Sequence, residues 1–140
     1  MNDFLNTTTL RNAGLVLILI SLIFSWVLTI YRYMLKVDEA KVNTQYILKG
    51  HIDYLLMGFL LLILSFLGGQ PNSILVLLSC LGTFANPTMF IVLAFNQNIE
   101  KSPKSLFGML TTISYIFTTV GVGGIGVYHL MGHHSNLFPL

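Results

Sequence analysis

Leu15-Val16-Leu17-Ile18-Leu19-Ile20-Ser21-Leu22-Ile23-Phe24-Ser25-Trp26-Val27-Leu28-Thr29-Ile30 decides the fold. The stretch carries no charge, and Leu, Ile, Val and Phe run through it almost unbroken. Extended from Ala13 to about Tyr33, it is around 20 residues, enough at 1.5 Å per residue to cross a hydrocarbon core of roughly 30 Å. Trp26, Tyr31 and Tyr33 lie toward its end, where aromatic rings meet lipid headgroups. A cleavable signal sequence has a shorter apolar core, about 7–15 residues, followed by a small-x-small cleavage site. Neither feature is present, so the segment reads as a retained span, helix 1, running from roughly Ala13 to Lys36. Nothing in helix 1 resembles chemistry. The residues before it, Met1 to Asn12, are polar and expected outside the hydrocarbon, and Asn6-Thr7-Thr8 formally matches a glycosylation acceptor.

The composition carries the same message across the whole chain. Of 140 residues, 54% are hydrophobic and only 9% are charged, against roughly 25% charged in soluble domains. Such a chain suits lipid, and its length leaves room for one membrane domain spanning 1–140. The formal charge of +2, with no basic block and no zinc-finger spacing, gives no reason to expect a nucleic-acid partner. Cys80 stands alone in an apolar run and reads as a small buried hydrophobe.

Three more spans follow, at roughly 44–67, 73–96 and 105–129. Gly68-Gly69-Gln70-Pro71-Asn72 marks the turn between helices 2 and 3. Asn96 to Lys104 marks the turn between helices 3 and 4. The expected architecture is an all-α integral membrane four-helix bundle. Within helix 3, Pro87 lacks a backbone donor and disfavours helical geometry at Asn86, which predicts a kink. In helix 4, Gly121-Val122-Gly123-Gly124-Ile125-Gly126 only superficially resembles a dinucleotide fingerprint, which needs a preceding strand. Close helix packing through small residues is the better reading.

Basic residues set the expected orientation. Arg32, Lys36, Lys41, Lys49, Lys101 and Lys104 lie in or beside loops 1 and 3, against Arg11 on the other side. The positive-inside rule then places loops 1 and 3 in the cytoplasm and both termini outside, as for a multi-pass protein of a bacterial inner membrane.

The polar chemistry concentrates in Lys49-Gly50-His51-Ile52-Asp53-Tyr54-Leu55-Leu56-Met57-Gly58, one or two turns inside helix 2. Ionisable groups in a span are costly and mark sites or buried contacts. His51, Leu55 and Gly58 share one helical face, while Asp53 points elsewhere with Met57. Gly58 leaves room for a neighbouring helix or a flat ligand. His51 can bind haem iron or another metal, or carry protons. Equally, it can bond a backbone carbonyl, or Asp53 of a neighbour. Asn86, near the middle of helix 3, needs a partner for its amide, and an interhelical hydrogen bond supplies one. A second cluster, His129, His133 and His134, would put His129 and His133 on one side of a continuing helix. Gly132 is expected to end that helix, however, and no carboxylate or Cys completes a ligand set, so a solvated tail is expected.

His51-Ile52-Asp53, then Gly58, then Gly82-Thr83-Phe84-Ala85-Asn86 resembles the small four-helix membrane isomerases that include styrene oxide isomerase and hydroxylaminobenzene mutase. In the mutases the first block reads like His-Leu-Glu-Gly with an Asn-Gly shortly after, and the second like Gly-Thr-Tyr-Ala-Asn. The resemblance covers helices 2 and 3, about half the chain. It implies a homotrimer holding haem b, with the helix 2 His as axial ligand. It also implies ferric iron acting as a Lewis acid that opens an epoxide to an aldehyde without net redox change. Carried over by position, His51 is the iron ligand and Asn86 a polar pocket residue, with Asp53 setting local charge or contacting a neighbour. Two positions depart from the pattern: a pocket Asn falls on Met57 and a pocket Tyr on Phe90, and both lose a hydrogen-bonding group. Tyr54 or Tyr115 could compensate.

The leading expectation is therefore a haem-dependent membrane isomerase acting on a small hydrophobic epoxide or arylhydroxylamine. A non-catalytic haem- or quinone-associated protein and a structural membrane subunit are the alternatives.

Overall fold

A computed structural model describes residues 6–38, 41–67, 70–99 and 102–137, with side chains described through Met131 in the last segment. Among the described residues four α-helices build the fold: α1 (Thr7–Thr29), α2 (Thr44–Phe66), α3 (Ser73–Phe95) and α4 (Leu106–Leu137). No strand occurs among the described residues. All four are long and apolar enough to cross a membrane, over Thr7–Met34, Thr44–Phe66, Ser73–Phe95 and Leu106–Met131. The chain is an all-α protein of the multi-pass membrane class.

Local chemistry sets the helix ends. α1 begins six residues before the expected Ala13, because Asn6 caps it. The Asn6 side chain accepts from the N–H groups of Thr8 and Thr9 at 2.9 and 3.2 Å, and Thr9 completes a capping box with the Asn6 backbone. Side-chain acceptors satisfy the N–H groups that a helix start leaves open, so a polar Asn-Thr-Thr-Thr run starts a helix rather than preceding one. Asn43 and Asn72 cap α2 and α3 in the same way. At its far end α1 widens into a π turn over Ile30–Met34 and leaves through Lys36 at φ 44°, the left-handed exit usually taken by glycine. Asn43 N–H then donates to the Ala94 carbonyl at 2.9 Å, tying the first loop to the end of α3.

α1 packs chiefly on α2 and α3 chiefly on α4, with α2 and α3 joining the two pairs. Glycine permits the closest approaches. A Cβ on Gly14 would lie 2.7 Å from the Gly58 carbonyl oxygen, and one on Gly58 would lie 2.8 Å from that of Gly14. Gly58 thus makes room for a neighbouring helix. Across α3 and α4 the arrangement repeats, with Gly82 against the Thr118 backbone and Gly121 against that of Ser79. Gly121 and Gly124 face α3, whereas Gly123 and Gly126 have open space beside them. Where lipid is as apolar as the side chains, such backbone contact and interhelical hydrogen bonds drive association.

Pro87 lies inside α3, which is assigned as one helix from Ser73 to Phe95. One expectation for helix length changes: Gly132 does not stop α4, which runs on to Leu137; an isolated glycine costs about 1 kcal/mol relative to alanine, too little to end a helix by itself.

Candidate functional site

His51 sits seven residues into α2, about two turns from its start. Its ring turns toward α1. Nδ1 lies 2.8 Å from the Ser21 carbonyl oxygen and 2.8 Å from Ser21 Oγ. Ser21 Oγ in turn donates to the His51 carbonyl at 3.0 Å. A carbonyl only accepts, so the short Nδ1 contact assigns the ring proton to Nδ1. In the neutral ring Nε2 then keeps its lone pair. No other bond to the ring occurs among the described residues. Nor is Nε2 sealed in, since the single buried side-chain nitrogen or oxygen lacking a partner among them is His129 Nε2. Ligating histidines are commonly held this way, with the far ring N–H donated to a carbonyl.

Asp53 leaves the same helix about 200° away from His51, at 100° per residue. Its Oδ2 accepts from Asn86 Nδ2 at 2.9 Å. Asn86 is buried, 5% exposed, so its amide serves Asp53 rather than the outside. Asp53 is half-buried, and no second partner for it occurs among the described residues. The expected interhelical bond of Asn86 is thus present, with Asp53 as its acceptor. Within one chain His51 looks to α1 and the Asp53–Asn86 pair to α3.

Tyr54 fills the space between them. Its ring is 3% exposed, stacks on Phe24 at 5.7 Å between centroids and meets Phe84 edge-on at 6.1 Å. Its hydroxyl bonds Thr88 Oγ1 at 2.6 Å, and Thr88 donates to the Phe84 carbonyl at 2.7 Å. Tyr54 therefore spends its hydroxyl on α3, and Tyr115 stands out on the surface of α4. Met57 packs against the core and Phe90 is half-buried. Neither brings a hydrogen-bonding group to the site.

Ser21 is the residue that sequence reasoning missed. Helix 1 was expected to carry no chemistry, yet it supplies the partner that fixes His51. A serine inside an aliphatic run was the available signal.

The distal histidines divide. His129 lies on α4 with Nε2 buried and unpartnered. His133 and His134 lie on the α4 backbone, with side chains outside the described residues. No group of three or more His, Cys, Asp or Glu able to hold a metal ion occurs among the described residues. A bare-metal centre is thus not assembled from them, whereas haem brings four of its own ligands and needs one imidazole.

No protein-family model, curated protein or solved structure matches the chain.

Proposed function

We infer that the protein is a haem-dependent membrane isomerase acting on a small hydrophobic substrate, an epoxide or an arylhydroxylamine. One observation carries the cofactor part of this reading. The His51 ring is held through Nδ1 by the Ser21 carbonyl at 2.8 Å, leaving Nε2 free to ligate. The isomerase part is carried by the resemblance of the His51–Gly58 and Gly82–Asn86 blocks. When bound, haem b supplies a ferric Lewis acid for a substrate oxygen.

The chain's own residues contribute position. His51 would hold the iron, and Ser21 fixes the plane of its ring. Asn86 is a positioning residue, since its amide holds Asp53 at 2.9 Å. Asp53 keeps one carboxylate oxygen for substrate or for a neighbouring subunit. Because His51 and Asp53 point away from each other on α2, a homotrimer would let one chain's His51 work beside another chain's Asp53. The basic residues of loops 1 and 3 support a cytoplasmic side for those loops, so this machinery would lie nearer the cytoplasmic face of a bacterial inner membrane.

The test is turnover. Detergent-purified, haem-loaded protein should convert an aryl epoxide to its aldehyde or rearrange an arylhydroxylamine, and His51→Ala should lose that activity with its haem. Haem-loaded protein inactive on both classes overturns the isomerase reading.

One observation favours a second reading. His51, Asp53, Asn86 and Tyr54 each already hold a partner on another helix, and Met57 and Phe90 replace polar pocket groups. A non-catalytic haem protein or structural membrane subunit uses the same bonds as packing contacts.

A further inference from the structure

We propose that Arg32 is the binding partner of the haem propionates, the two carboxylate side chains of that cofactor. The assignment rests on the cofactor reading of His51 given above. Arg32 lies in the π turn Ile30–Met34 at the end of α1, a helix form often found at functional sites. Its Nε donates to Thr44 Oγ1 at 3.1 Å, which fixes the guanidinium against the start of α2. No other partner for it occurs among the described residues. The two terminal nitrogens are therefore left to an outside acceptor, and the residue is exposed. A guanidinium stays charged and offers paired N–H groups that match a carboxylate.

Placement ties Arg32 to His51. Thr44 and His51 are seven residues apart, so they share one stripe of α2, about 10 Å apart along its axis. On α1, Arg32 follows Ser21, the partner of His51, by eleven residues, close to three turns. Both contacts thus lie on the same seam between α1 and α2. Leu48, between Thr44 and His51 on that stripe, is only half-buried. Leu22 and Ile52, next to Ser21 and His51, are 53% and 46% exposed, so the seam opens outward there. Polarity sets the direction. Carboxylates are costly within a span, and the nearer exit from His51 is the Thr44 end of the Thr44–Phe66 span. Arg32 stands at that end. Lys49 is closer in sequence, but it leaves α2 about 200° away from His51 and lies over the Tyr46 ring at 5.4 Å.

The test is a Soret titration of the detergent-purified, haem-free full chain with haem b and, separately, with its dimethyl ester, in which both propionates are capped. Wild type should bind haem about tenfold more tightly than the ester, the equivalent of about 1.4 kcal/mol. Arg32→Gln, which keeps a donor for Thr44 but no charge, should lose that preference by weakening haem binding alone. Arg32→Lys should keep part of it. The band position should not move in either variant, since His51 is untouched. Equal wild-type affinity for haem and ester, or an unchanged preference in a folded Arg32→Gln, overturns the proposal and leaves the cofactor reading standing. No Soret band with either compound in wild type overturns both. Should Arg32→Gln fail to fold, the wild-type preference decides: it should shrink as salt screens the ion pair, and a preference that salt leaves unchanged overturns the proposal.

Discussion

His51 Nδ1 and the Ser21 carbonyl oxygen, on α2 and α1, meet at 2.8 Å. The carbonyl belongs to the backbone and survives any side-chain change, so ring orientation and Ser21 Oγ can be separated by mutation. Ser21→Ala removes the Oγ bond to the His51 carbonyl and the Oγ contact with Nδ1, and leaves the Nδ1–H bond to the Ser21 carbonyl in place. Interhelical hydrogen bonds in membranes average about 0.6 kcal/mol and reach about 1.7. Unfolding in mixed micelles should show Ser21→Ala destabilised within that range, with haem content per chain close to wild type. Loss of haem in a stable Ser21→Ala would mean that Oγ, not the carbonyl, orients the ring.

Asp53 and Asn86 form the second cross-helix bond, at 2.9 Å. Asp53→Asn retains an oxygen acceptor in the same place, whereas Asn86→Leu leaves a carboxylate in the span with no partner. Asn86→Leu should therefore be the more destabilising of the two. A double-mutant cycle should give a coupling of about 0.6–1.7 kcal/mol. A coupling indistinguishable from zero contradicts the pairing.

Gly14 and Gly58 face each other's carbonyl oxygens at 2.7 and 2.8 Å from where a Cβ would stand. Gly14→Ala or Gly58→Ala must push α1 and α2 apart, at a cost of about 1–3 kcal/mol for overpacking. Gly123→Ala is the matched control, since nothing lies within 4 Å there. It should be neutral or slightly stabilising through helix propensity. Unfolding free energies of the three variants side by side check this, and an equal effect at all three contradicts the packing.

Tyr54→Phe keeps the stack on Phe24 and removes only the hydroxyl that meets Thr88 at 2.6 Å. The cost should be about 1 kcal/mol, with the fold intact. Tyr54→Ala, which also empties a buried aromatic site, should cost about 3–5 kcal/mol by analogy with other aromatic truncations. Circular dichroism during SDS titration distinguishes the two.

The spans were legible in the sequence because length and hydropathy alone fix them, and 44, 73 and 105 fall at or next to the observed starts of α2, α3 and α4. The start of α1 was hidden because a polar Asn-Thr run looks like surface until its cap is seen. The face shared by His51 and Gly58 followed from helical spacing, and both do meet α1. What spacing cannot supply is the register between two helices. That register pairs Asp53 with Asn86 and His51 with Ser21, residues separated by 33 and 30 positions. The open side of Gly126 was hidden for the same reason, since a glycine-rich run does not say which glycines face a neighbour.

Free Nε2 on His51 is the point on which the cofactor reading turns. The most direct measurement is the absorption spectrum of detergent-purified protein expressed with ample haem, wild type beside His51→Ala. A strong Soret band in the wild type, lost in a folded His51→Ala, is the expected result. A band of equal strength in both, or no band in either, contradicts it.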